Sequence, residues 1–131
     1  MTSSDSSPTT AAPVGSNPPL EHLSVEIGVG MMGSEEALRK ILSTVDPNLT
    51  GNIPDIWKAL EAGDIAVANR LLHGIKGYVP IFCTDPLVDQ ITQTEVFSKT
   101  ATAAEVKPLF AELAPKLEQL LVEIRTYVAQ G

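Results

Sequence analysis

Cysteine occurs once in the 131 residues, histidine twice, and only six residues are aromatic. The single thiol, Cys83, excludes an internal disulfide, and two histidines as far apart as His22 and His73 offer no zinc-ligand spacing. Basic residues are also scarce. Nine Lys and Arg stand against sixteen Asp and Glu, a net charge of −7, which repels nucleic-acid phosphates and anionic lipid heads alike. No apolar run reaches the length of a transmembrane helix, and the first residues lack the basic and apolar regions of a signal peptide. A Gly-rich phosphate loop and a Walker lysine are missing too, so no ATP site is expected. These absences predict a soluble, cytoplasmic, single-domain protein with no metal, no nucleic-acid partner and no direct membrane contact; a monomer is expected.

What is present divides unevenly along the chain. Residues 1–19 hold five Ser, three Thr and four Pro with one charge, Asp5, and no aromatic residue. Such a stretch buries too little apolar surface to offset its ordering entropy, which predicts a flexible tail or linker and places the folded domain at 20–131. A linker suits a module tethered to something larger; Met1 suits a free-standing protein equally well.

Beyond the tail the apolar period is helical. Ser34 followed by Glu35 and Glu36 is an N-cap with acids in the first turn, and Leu38, Ile41, Leu42 and Val45 form a stripe that Ile53, Ile56, Trp57 and Leu60 resume. Pro47 and Pro54 lie between or within these runs, so either one kinked helix or two pieces is expected. Gly63-Asp64 reads as a stop and a start. From there Ile65, Ala68, Leu72, Ile75, Val79 and Phe82 make the seam of a packed helix running to about Phe82. Asp85-Pro86 opens another helix, with Asp85 as its cap and Leu87, Ile91 and either Val96 or Phe97 on its apolar side. Thr102-x-x-Glu105 is a capping box for a last helix whose stripe runs Val106, Leu109, Phe110, Leu113, Leu117, Leu120, Leu121, Ile124 and Val128, bent at Pro108 and Pro115. The predicted fold is all-α: an antiparallel up-down four-helix bundle with a short extra N-terminal helix. Trp57 and Cys83 are expected in its core, and His22 on its surface at the junction of tail and first helix.

On the helical wheel of the 65–82 segment His73 points about 135° away from the centre of the apolar face, toward solvent. Its neighbours there are Ala66, Asn69, Arg70, Lys76, Gly77 and Pro80. Gly77 stands one turn later, and glycine inside a helix costs about 1 kcal/mol relative to alanine, a cost Gly74 repeats. A glycine at i+4 uncovers the imidazole, and Lys76 at i+3 brings an ammonium to whatever that imidazole carries. Exposed imidazole, open space and a nearby cation together suit a phosphoryl carrier; the plain alternative is a surface His and Lys with tolerated glycines.

The run Ala68-Asn69-Arg70-Leu71-Leu72-His73-Gly74-Ile75-Lys76-Gly77 resembles the H-x-x-K-G signature of histidine-containing phosphotransfer (HPt) domains, the helical intermediates of multistep phosphorelays. Ala59 to Asp64 is similar to the segment before the phosphorylated helix, Ile27-Gly28 through Met32 to Glu36 is similar to the family's N-terminal stretch, and Leu87 and Glu95 fall where the family tends to have leucine and glutamate. The resemblance spans about residues 24–128. It departs from the pattern at Pro80, usually a small residue, and at Cys83, usually glycine. Pro80 cannot bond to the carbonyl of Lys76, so the helix should loosen just past the signature.

The resemblance implies that His73 accepts a phosphoryl group at Nε2 from a receiver-domain aspartyl phosphate and passes it to another receiver. Lys76 would neutralise charge, and Gly77 would leave steric access. Ala66, Asn69, Arg70, Gly74 and Pro80 would meet the partner, a response-regulator receiver that brings its own Mg²⁺, so this chain needs no cofactor. It would be a phosphocarrier without ATP-dependent kinase activity, free-standing or covalently part of a hybrid sensor kinase. A kinase dimerisation helix is excluded, because an acid should follow the histidine directly and Gly74 does. A Cys-His pair is excluded by the separation of Cys83 and His73 on the wheel. The competing expectation is a phosphotransfer-silent bundle serving as a binding or structural module, favoured by Pro80 and Cys83.

Overall fold

The computed structural model describes residues 20–130, so the flexible tail expected over 1–19 lies outside the described residues. The described chain is all-helical: α1 Val25–Met32, α2 Glu35–Glu61, α3 Ile65–Tyr78, α4 Asp85–Ser98 and α5 Ala103–Gln130, with a 3₁₀ turn Val79–Ile81 between α3 and α4. No strand forms among the described residues beyond an isolated antiparallel bridge between Leu23 and Cys83. No helix among them is long and apolar enough to cross a membrane.

The boundaries follow local chemistry. Ser34 accepts from the Ala37 N–H and opens α2; Asp64 accepts from the Val67 N–H and opens α3. Gly33 and Gly63 take φ of 95° and 76°, the left-handed backbone that only glycine adopts cheaply, and so turn the chain between α1, α2 and α3. Thr102 and Glu105 exchange hydrogen bonds as a capping box. One start differs from expectation: the N-cap of α4 is Thr84, with Asp85 already inside the first turn. α1 starts at Val25, capped by Ser24.

α2 is one continuous helix of 27 residues despite Pro47 and Pro54. Each proline removes one backbone bond, but Leu38, Leu42, Val45 and Leu49 before Pro54 and Ile56 and Leu60 after it are all buried, so packing on both sides offsets the loss. α2 packs against α5, α3 and α1; α3 packs on α4, and α4 on α5. Phe82 and Phe110 are the largest fully buried side chains, and Trp57, half-buried, meets Phe110 edge-on at 5.0 Å between centroids. Cys83 is buried as expected, and burial pushes its thiol pKa up, which keeps it an inert hydrophobe. Two apolar assignments fail, that of either Val96 or Phe97 and that of Leu109. Val96, Phe97 and Leu109 are exposed, and the fourth helix buries Thr94, Glu95 and Ser98 instead.

His22 belongs to an anchored strap and is half-buried, not a free junction residue. The backbone N–H groups of Glu21, His22 and Leu23 donate to the buried carboxylate of Glu123 on α5, at 3.0, 2.9 and 2.9 Å. On its other side the strap pairs with the turn after α3: Ser24 N–H donates to the Phe82 carbonyl, and Thr84 N–H to that of His22.

Candidate functional site

α3 presents its buried seam, Ala68, Leu72, Ile75 and then Val79 and Phe82, to the core, which leaves His73 on the outer side with its side chain 67% exposed. The α-helix ends at Tyr78 rather than near Phe82. Pro80 cannot continue the i→i−4 ladder, and the chain tightens into the 3₁₀ turn there. His73, Lys76 and Gly77 all lie before that break.

The residue that organises the site comes from α4. Glu95 has no exposed side-chain surface, and its two oxygens are divided among three groups of α3 and Lys99 at the C-terminal cap of α4. Oε1 accepts from Lys76 Nζ at 3.0 Å. Oε2 accepts from Asn69 Nδ2 at 3.3 Å, lies 3.4 Å from His73 Nδ1 and stands 3.8 Å from Lys99 Nζ. Burial disfavours the charge of Glu95. The hydrogen bond and charge of Lys76, the charge of Lys99 and the hydrogen bond from Asn69 outweigh it and hold the carboxyl below the usual range. An ionised carboxylate beside Nδ1 favours the tautomer with its proton on that nitrogen, which leaves the lone pair on Nε2, at the far side of the ring.

Asn69 is committed to this framework. Its amide also donates to Ser98 Oγ at 2.8 Å and to the Glu95 carbonyl at 3.2 Å, tying α3 to α4. Ala66, Arg70, Gly74 and Pro80 are exposed, and Arg70 forms no ion pair among the described residues. His22 lies on the strap, outside the Glu95 cluster. No group of His, Cys, Asp or Glu suited to holding a metal occurs among the described residues.

Space beside the imidazole is open. A Cβ built on Gly74 or Gly77 would meet nothing within 4 Å beyond its chain neighbours and the local backbone of its own helix. Gly77→Ala is therefore expected to be neutral or to stabilise by up to about 1 kcal/mol through helix propensity, read by thermal denaturation. Gly77→Leu should leave stability near wild type and slow phosphoryl acceptance by crowding His73. Destabilisation by alanine with unimpaired acceptance in the leucine variant would assign the glycine to packing instead.

Sequence reasoning reached His73, Lys76 and Gly77 but gave no role to Glu95, Ser98 or Lys99. The signal was present: Glu95 and Ser98 continue the helical seam begun by Leu87 and Ile91, and a charge on a seam must find partners. Compared with protein-family models, curated proteins and solved structures, the chain matches none.

Proposed function

We propose that this chain is a phosphocarrier of the HPt type, in which His73 takes a phosphoryl group from a receiver-domain aspartyl phosphate and hands it to another receiver. The observation that carries the reading is the placement of His73: an exposed imidazole whose Nδ1 faces a buried carboxylate at 3.4 Å. In this reading the five helices form an up-down four-helix bundle, α2 to α5, with α1 as the short N-terminal addition.

The step needs no separate base. The Nε2 lone pair forms the N–P bond as the P–O bond to the donor aspartate breaks, and that electron pair leaves on the aspartate carboxylate. The proton stays on Nδ1, so the product imidazolium sits against Glu95. Charge is conserved, because the donor loses one negative charge with the phosphoryl group and His73 becomes a phosphoryl dianion on a cation. Glu95 fixes the ring and its tautomer; Lys76 holds Glu95 and adds a cation to the site; Gly74 and Gly77 admit the receiver face. Mg²⁺ belongs to the receiver, and this chain carries no ATP-dependent kinase activity of its own. A cytoplasmic monomer suits this role, whether free or joined to a hybrid sensor kinase.

Pro80 and Cys83, the grounds for a transfer-silent module, do not reach His73. The proline acts beyond Gly77, and the cysteine packs in the core. Incubation with phosphorylated receivers from the same genome tests the reading: label should pass to this protein in a bond that is acid-labile and comparatively base-stable, as a phosphoramidate is. Absence of transfer from every receiver would leave the binding-module reading in its place.

A further inference from the structure

We infer that Lys99, at the C-terminal cap of α4 and outside the H-x-x-K-G run, is the cation that neutralises a phosphoryl group on His73, while Lys76 is occupied by Glu95. The inference deepens the phosphocarrier reading and rests on it. Its basis is how the two lysines are held. Lys76 donates a 3.0 Å hydrogen bond to Oε1 of a carboxylate with no exposed surface, and its own side chain is only 28% exposed. Moving that ammonium to the phosphoryl group would strip a buried charge of its strongest partner, which is costly.

Lys99 is held differently. Its Nζ stands 3.8 Å from Oε2, beyond hydrogen-bond range, and its side chain is 53% exposed. The oxygen it faces is the one that lies 3.4 Å from His73 Nδ1, so this ammonium and the acceptor imidazole flank a single atom. A long, partly solvated lysine can leave such a position at small cost and follow the incoming charge. Glu95 cancels the charge of one lysine, which leaves the second lysine of the cluster, Lys99, for the phosphoryl dianion.

Because a cation on the phosphoryl oxygens favours the dianion over the loose, less charged group of the transition state, Lys99 should prolong the phosphorylated state against hydrolysis. In that loss, water bonds to phosphorus, the N–P bond breaks with its electron pair returning to Nε2, and inorganic phosphate leaves. The test loads the full chain with phosphoramidate, which transfers its phosphoryl group to Nε2 as ammonia departs, and so removes receiver recognition from the measurement. Decay is then followed by ³¹P nuclear magnetic resonance at neutral pH, with circular dichroism on each variant.

Lys99→Ala should shorten the half-life about fivefold, the scale of one exposed charge pair, and Lys99→Arg should restore it. Lys76→Ala should shorten it less. In a Glu95→Gln background Lys76 is released, and the further effect of Lys99→Ala should shrink. If Lys99→Ala decays like wild type while Lys76→Ala decays fast, Lys76 is the neutralising cation and the inference is overturned, with the carrier reading intact. If phosphoramidate loads His73 but no receiver does, the carrier reading fails, and the half-lives still decide the role of Lys99. A wild type that phosphoramidate cannot load overturns both.

Discussion

His73→Gln is expected to abolish phosphoryl acceptance completely while leaving the fold intact. The other described histidine, His22, is half-buried on the strap and outside the Glu95 cluster, so no neighbouring imidazole can substitute. The stability of the variant should stay within about 0.5 kcal/mol of wild type, because the side chain lies on the solvent side of α3 and supports no core contact. Transfer from a labelled receiver, read beside far-ultraviolet circular dichroism, checks both halves. Residual labelling of a folded His73→Gln protein would move the acceptor elsewhere. His22→Gln is the control: the strap is held by the backbone N–H and carbonyl of that residue, so labelling should not change.

The largest loss of stability is expected at Glu123, far from the chemistry. Glu123→Ala removes the acceptor of three backbone N–H groups, among them that of the buried Leu23, and frees the strap that also pairs with the turn after α3. Orphaned buried donors cost roughly 1–3 kcal/mol each, so a total of about 2–4 kcal/mol is expected, or a fall in melting temperature on the order of 10 °C. Glu123→Gln keeps one carbonyl acceptor and should lose less.

The same residue sets an acid limit. Burial raises the pKa of Glu123, but the hydrogen bonds from Leu23, Gln119, His22 and Glu21 outweigh it, and the group ends below the usual carboxylate range. A pKa depressed in the folded state means that the stabilisation is fully present above the unfolded value of about 4.3 and is lost as pH falls through the folded value. Glu95 and Asp46, also lowered, act in the same direction. The melting temperature should thus fall below about pH 4, and the gap between wild type and Glu123→Ala should narrow there. A gap unchanged down to pH 2 would show that the carboxylate charge contributes nothing to the strap.

The sequence by itself determined the helices, because their signals are local. Caps at Ser34, Asp64 and Thr102, the glycine stop at Gly63 and the 3–4 spacing of Leu72, Ile75, Val79 and Phe82 each act within a turn or two of chain. The outward direction of His73 and the break at Pro80 were legible for the same reason. The continuity of α2 through Pro47 and Pro54 was not, since a local break competes there with burial against α3 and α5. Nor could periodicity choose among the residues of α4, where Val96 and Phe97 are as apolar as a seam requires and yet lie outside. Only the tertiary structure decided that Glu95 occupies that seam, because its burial is tolerable only where Lys76 and Asn69 of α3 and Lys99 at the end of α4 converge on it. Likewise only the fold brings Glu123 to the N–H groups of Glu21 to Leu23, about a hundred residues earlier. Buried charges are fixed by partners distant in sequence, and helix propensity carries no record of them.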